Sequence, residues 1–146
     1  MDCRVHSEYQ REGDCGVFVL TGHRDFASSC DFWRAVIARV RTDGLHGVLI
    51  HDSAQDHLQM YEILAIEKLF HAEGLPRNLP VVLVDADAGH ESANVFGELV
   101  VQNRGWPLIR VFRDAGAGRA WMGPIMAHCA AAAATPGRPA AHVVPL

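Results

Sequence analysis

Apolar and polar positions in this chain follow two different periods. Residues 5–10 alternate with a period of two, as a half-buried strand does. Gly13-Asp14 is a turn signal ahead of the apolar run Cys15-Gly-Val-Phe-Val-Leu20. The pair predicts an antiparallel hairpin whose second strand is the more interior. Phe32, Trp33, Val36, Ile37 and Val40 then recur at helical spacing and put one apolar stripe on a helix of about 15 residues. Ser28, Ser29 and Asp31 are of the type that caps such a helix, and Gly44 closes it.

Gly47-Val-Leu-Ile50 reads as a buried strand that empties into the polar stretch 51–56. A second helix is expected over about 57–73, with Leu58, Tyr61, Ala65 and Leu69 on one face. Ile63, Ile66 and Phe70 widen that face, and Gly74 with Pro76 ends it. Val81-Val-Leu-Val84 is wholly apolar and rich in β-branched residues, which favours a central parallel strand. In the third helix Val95, Phe96, Leu99 and Val100 share one side and Glu98 and Gln102 the other, with Gly105 suited to a left-handed stop. A last strand over 107–112 and a short helix over 114–122 follow. From residue 127 the composition turns to alanine, proline and glycine. The reading is therefore one domain over 1–126 and a mobile tail over 127–146, in which the alanines 130–134 can prolong a helix. The order β-β-α-β-α-β-α-β-α predicts an α/β fold with a mixed sheet: parallel pairs, right-handed crossovers and one antiparallel hairpin.

Composition narrows the class. With 146 residues, 49% hydrophobic and 21% charged, the chain is long enough for one real core and too apolar for disorder. No apolar run approaches the roughly 20 residues a membrane span needs, and the N-terminus has no signal-peptide pattern. A net charge of −4 gives no general attraction to nucleic acid. Cys3, Cys15, Cys30 and Cys129 are too dispersed for a zinc site, and the reading is reduced thiols in a cytoplasmic protein. Lys68 is the only lysine, and it falls on a helix surface.

Candidate chemistry collects after the apolar strands. His51, Asp52, Ser53, Asp56 and His57 follow one of them, and Asp85, Asp87 and His90 follow the next. In open α/β sheets ligands favour the crevice beyond the carboxyl ends of the strands, which makes these eight the candidate ligand- or partner-binding residues. His and carboxylate side chains suit a metal, and Ser53 near a helix N-terminus suits a phosphoacceptor. Capping by Ser53, Asp56 or the aspartates of the second loop explains the same residue types more simply, so no metal and no cofactor are expected. GxGxxG, GxxxxGK[ST] and GxSxG are all missing, so the usual phosphate cradle and serine-hydrolase elbow are not signalled.

The segment 79–122 carries a more specific pattern. Leu79-Pro-Val-Val-Leu-Val84 leads to Val95-Phe-Gly-Glu-Leu-Val-Val-Gln-Asn-Arg-Gly-Trp106, then Ile109-Arg-Val-Phe-Arg-Asp114 and Gly118-Arg-Ala-Trp-Met122. This resembles the SpoIIAA-like proteins of STAS-type fold, which are related to the Sec14-like lipid-binding fold. The resemblance implies a mixed sheet of four or five strands with helices mainly on one face. It also implies a non-enzymatic, anti-sigma-factor-antagonist type of regulator that binds a protein partner and is switched by phosphorylation of a serine at a strand-to-helix junction. Asp52-Ser53 resembles the start of that junction, but the Ser/Thr-Gly-Leu-Gly that follows in the family is replaced by Ala54-Gln-Asp-His57. Phe112 and Trp121 are expected to seal the sheet's end, and Arg104 to pair with Asp114 at the surface.

Three functions therefore stand beside one another. The first is a protein-interaction domain using the 51–57 face. The second, by analogy with the Sec14-like relatives, is a module for a small apolar ligand or lipid. The third is a metal-dependent hydrolase using the 51–57 and 85–90 loops. An exposed first strand also offers a route to a homodimer.

Overall fold

The computed structural model describes residues 4–134, so Cys3 and the stretch 135–146 lie outside it. The elements are β1 (Val5–Glu12), β2 (Cys15–Gly22), α1 (Phe26–Asp43), β3 (Gly47–Asp52), α2 (Met60–Glu73), β4 (Val81–Val84), α3 (Glu91–Asn103), β5 (Ile109–Phe112) and α4 (Ala115–Ala134), with a 3-10 turn at Ala88–His90. They form one five-stranded mixed sheet in the order β1-β2-β3-β4-β5. β1 and β2 are the antiparallel hairpin, and the other three pairings are parallel.

Three parallel crossovers stepping the same way across a sheet, all of the usual hand, put their helices on one face. The buried side chains agree: Phe32, Val36 and Ile37 of α1, Ile66 and Phe70 of α2, and Val101 of α3 share one core with Phe18, Ile50 and Val81 of the sheet. α4 covers the opposite face, where Met122 meets Cys15, Val17, Leu49 and Val82. Strand alternation assigns these sides, since successive residues of a strand point to opposite faces. Phe112 and Trp121 lie 5.8 Å apart, half-buried against the α4-side cluster.

The third helix is rotated relative to its apolar stripe. Val95 is 63% and Leu99 54% exposed, whereas Glu98 and Gln102 turn toward the sheet. The reason is the free edge of β5. Its outward groups need partners, and α3 supplies them: Glu98 Oε2 accepts from the Val111 N–H at 2.7 Å, and Gln102 Nε2 donates to the Ile109 carbonyl at 3.1 Å. α2 is rotated in the same sense, with Tyr61 72% exposed, and Ile66, Glu67 and Phe70 forming the buried face.

Several termini also differ from their sequence reading. α1 is capped by Asp25, whose carboxylate accepts from the Ser28 N–H at 2.7 Å and its hydroxyl at 2.6 Å, while Ser28 and Ser29 lie buried inside the helix. α2 begins at Met60 behind a capping box of Gln59 and Glu62, so neither Ser53 nor Asp56 caps it. α4 continues through Pro124 to Ala134 and is longer than the 114–122 helix expected. Arg104 approaches the buried Glu67 at 3.7 Å, and Asp114 instead accepts from the Ala117 N–H at the start of α4.

Candidate functional site

The carboxyl ends of β2, β3, β4 and β5 lie side by side, and the loops leaving them surround a cavity of about 140 Å³. Its walls are mainly apolar. Trp33 comes from α1, Ile63, Ile66 and Phe70 from α2, Leu83 from β4, and Val101 from α3. Gly97 of α3 lines the cavity as well, and the nearest atom to where its Cβ would stand is Ile63 Cδ1 at 3.7 Å. A groove lined by His57, Leu58, Met60, Ile63 and Phe96 continues from this region between the N-terminal ends of α2 and α3.

Two polar constructions sit at the rim. In the first, Arg24 clasps the loop after β3. Its Nη2 donates to Asp52 Oδ1 at 2.8 Å and to the Ala54 carbonyl at 3.3 Å, and its Nε donates to the Asp56 carbonyl at 3.0 Å. The same Asp52 oxygen accepts from the Ala54 N–H at 3.1 Å. Asp56 occupies the left-handed region at φ 67°, which aspartate tolerates better than most residues. Its carboxylate stands 3.5 Å from His23 Nδ1.

In the second, Asp85 is buried at the end of β4 and accepts three hydrogen bonds. They come from Asn94 Nδ2 and His90 Nδ1 to Oδ2, and from the Asp87 N–H to Oδ1, each at 3.0 Å. Burial pushes its pKa up, but the Asn94 amide, the Asp87 N–H and His90 together outweigh that and hold it below the ordinary aspartate value. The carboxylate is thus kept ionised beside an apolar cavity. His90 Nε2 stands 3.6 Å from Asp87 Oδ2, and the His57 and His90 rings are 6.4 Å apart.

Of the eight candidates, Asp52, Asp56, His57, Asp85 and His90 line the cavity. Asp87 stands outside it, against the far nitrogen of His90. Ser53 is exposed just after β3, its N–H bonded to the Leu20 carbonyl at 2.8 Å, and six residues separate it from the start of α2. His51 is next to Asp52 on β3 and therefore points to the opposite, α4 side of the sheet. Arg24, Trp33, Asn94 and Glu98 line the cavity without having been singled out. Arg24 was within reach of the same rule, since β2 ends at the same edge as β3. Among the described residues no group of three or more His, Cys, Asp or Glu side chains is placed to hold a metal ion, and no helix is long and apolar enough to cross a membrane.

No protein-family model matches the chain, and no curated protein matches it.

Proposed function

We propose that this chain is a STAS-type binding domain, not an enzyme, and that the cavity under α2 and α3 takes a small, mainly apolar ligand. The cavity carries the reading: about 140 Å³ of space, walled by Trp33, Ile63, Ile66, Phe70, Leu83 and Val101, at the strand ends where α/β sheets bind ligands. A dry apolar cavity of about 150 Å³ is enough to hold benzene, which sets the scale of the ligand's body. Its wall includes no Ser, Thr, Cys, Tyr or Lys, so no side-chain nucleophile of those kinds faces the bound molecule. The element order and the segment 79–122 support the STAS-type assignment, and the free thiols of Cys15, Cys30 and Cys129 suit a cytoplasmic setting.

Native mass spectrometry of freshly purified protein, with a thermal melt in toluene, tests this. The reading expects a retained small-molecule mass or a rise in Tm that grows with toluene concentration. An apo mass together with a melt that toluene does not move, up to its solubility, contradicts it.

A second reading has its own observation. Met60, Tyr61, Val95, Phe96 and Leu99 leave α2 and α3 with large exposed apolar side chains, which favours a protein partner on that side. Ser53, exposed on the loop after β3, is the residue whose phosphorylation such a partner would sense. Ser53→Asp should then weaken recovery of a specific partner from host extract, and equal recovery sinks the switch. The open outer edge of β1 supports pairing of two copies.

A further inference from the structure

We propose that the polar group of the cavity's ligand is a cationic amine, received on α3 by Glu98 and Asn94. This rests on the cavity being a ligand site. His90, Asn94 and Glu98 follow one another at intervals of four, so they form one polar stripe on the α3 side of the cavity, beside Ala93, Gly97 and Val101. Each has one partner fixed by the fold, and those partners decide what is left over. An ionised carboxylate can only accept, so Asn94 turns its amide nitrogen to Asp85 and leaves its carbonyl oxygen unused. The ionised state of Asp85, favoured by its hydrogen bonds, keeps that orientation in place.

Glu98 is fixed in the same way. Its Oε2 accepts from the Val111 N–H of the β5 edge, while Oε1 has no hydrogen-bond partner among the described residues, and the half-buried Glu98 is one of the residues that line the cavity. The stripe thus offers acceptors about one helical turn apart, roughly 5–6 Å between their β-carbons, and a compact group with several N–H donors spans that distance. Charge distinguishes an ammonium from a neutral donor. Asp52 is neutralised by Arg24, and Asp85 has three donors, whereas Glu98 has no ion-pair partner among the described residues. A carboxylate without a counter-charge beside apolar walls favours a ligand that brings one. The volume of about 140 Å³ suits a ligand body of about one aromatic ring.

Three compounds of one shape separate the possibilities on the full chain: benzylamine, benzyl alcohol and benzoate, each titrated by calorimetry or by methyl NMR. Benzylamine should bind about tenfold tighter than benzyl alcohol, with benzoate weakest, since one charge-assisted hydrogen bond is worth about that factor. Glu98→Gln keeps a carbonyl for the Val111 N–H and turns an amide toward the ligand. It should bring benzylamine to within about threefold of benzyl alcohol while leaving the alcohol unchanged. Benzyl alcohol or benzoate binding as tightly as benzylamine overturns the inference and leaves the cavity reading standing. So does a preference for the amine that Glu98→Gln does not touch. Binding of none of the three, nor of toluene, removes the cavity reading as well.

Discussion

Gly97 offers the sharpest perturbation of the cavity. It lies in the middle of α3, where a glycine costs about 1 kcal/mol relative to alanine in backbone freedom. A methyl group there meets nothing closer than Ile63 Cδ1 at 3.7 Å, an ordinary van der Waals contact, and it occupies space at the cavity wall. Burying that methyl adds up to about 0.8 kcal/mol, so Gly97→Ala should stabilise the unliganded chain by about 1–2 kcal/mol in total. For a domain of this size the rise in Tm is about 3–6 °C. The same methyl takes room from the ligand, and a forced fit of that kind costs about 1–3 kcal/mol, or about fivefold in toluene affinity at the lower end. Urea denaturation followed by circular dichroism gives the first quantity, and toluene titration of the same protein gives the second. The two must move in opposite senses. Loss of stability would show that Gly97 does not face open space, and a gain with unchanged binding would show that the space is not where ligand sits.

Other expectations follow from single contacts. Glu67 is 2% exposed, with His71 Nε2 at 2.7 Å and Arg104 at 3.7 Å. Glu67→Ala leaves His71 and Arg104, each about half exposed, to water and should cost only about 1 kcal/mol in urea denaturation, whereas a loss above about 3 kcal/mol would mean that those partners are buried with it. Asp25→Ala removes the α1 cap and should cost about 1 kcal/mol, read as a lower urea midpoint at constant slope. Asp85 titrates below an unfolded aspartate, so its contribution is complete above about pH 4 and disappears as pH falls through its lower folded value. Asp85→Asn should therefore flatten the acid limb of stability against pH between about 5 and 2, and an unchanged limb would contradict the assigned hydrogen bonds.

Elements whose identity depends on local pattern were legible in the sequence: the hairpin, the β-branched run of β4, and the glycine stops at Gly44 and Gly74, both at positive φ. Orientation was legible only where one surface competes for apolar side chains. On α3 a second demand, the unpaired N–H and carbonyl groups of β5, draws Glu98 and Gln102 inward and leaves Val95 and Leu99 outside. That demand comes from residues 109 and 111, a strand away, and no periodicity within the helix expresses it. Gly123-Pro124 has the look of a helix stop, yet α4 carries Pro124 inside it.

The site divides along the same line. Asp52, Asp56, His57, Asp85 and His90, named because ligands favour the space beyond strand ends, line the cavity. Strand alternation, applied one step further, separates His51 from Asp52. Arg24 reaches Asp52 across 28 positions, and Trp33 and Glu98 arrive from helices whose rotation only packing decides.

The central claim is that the space between α2, α3 and the sheet accepts a small apolar molecule, and methyl-resolved NMR during a toluene titration tests it most directly. Saturable shifts are expected at Ile63, Ile66, Leu83 and Val101 on the cavity wall, with Val17, Leu49 and Val82 on the α4 face unmoved. Shifts that never saturate, or that appear equally on both faces, would contradict it.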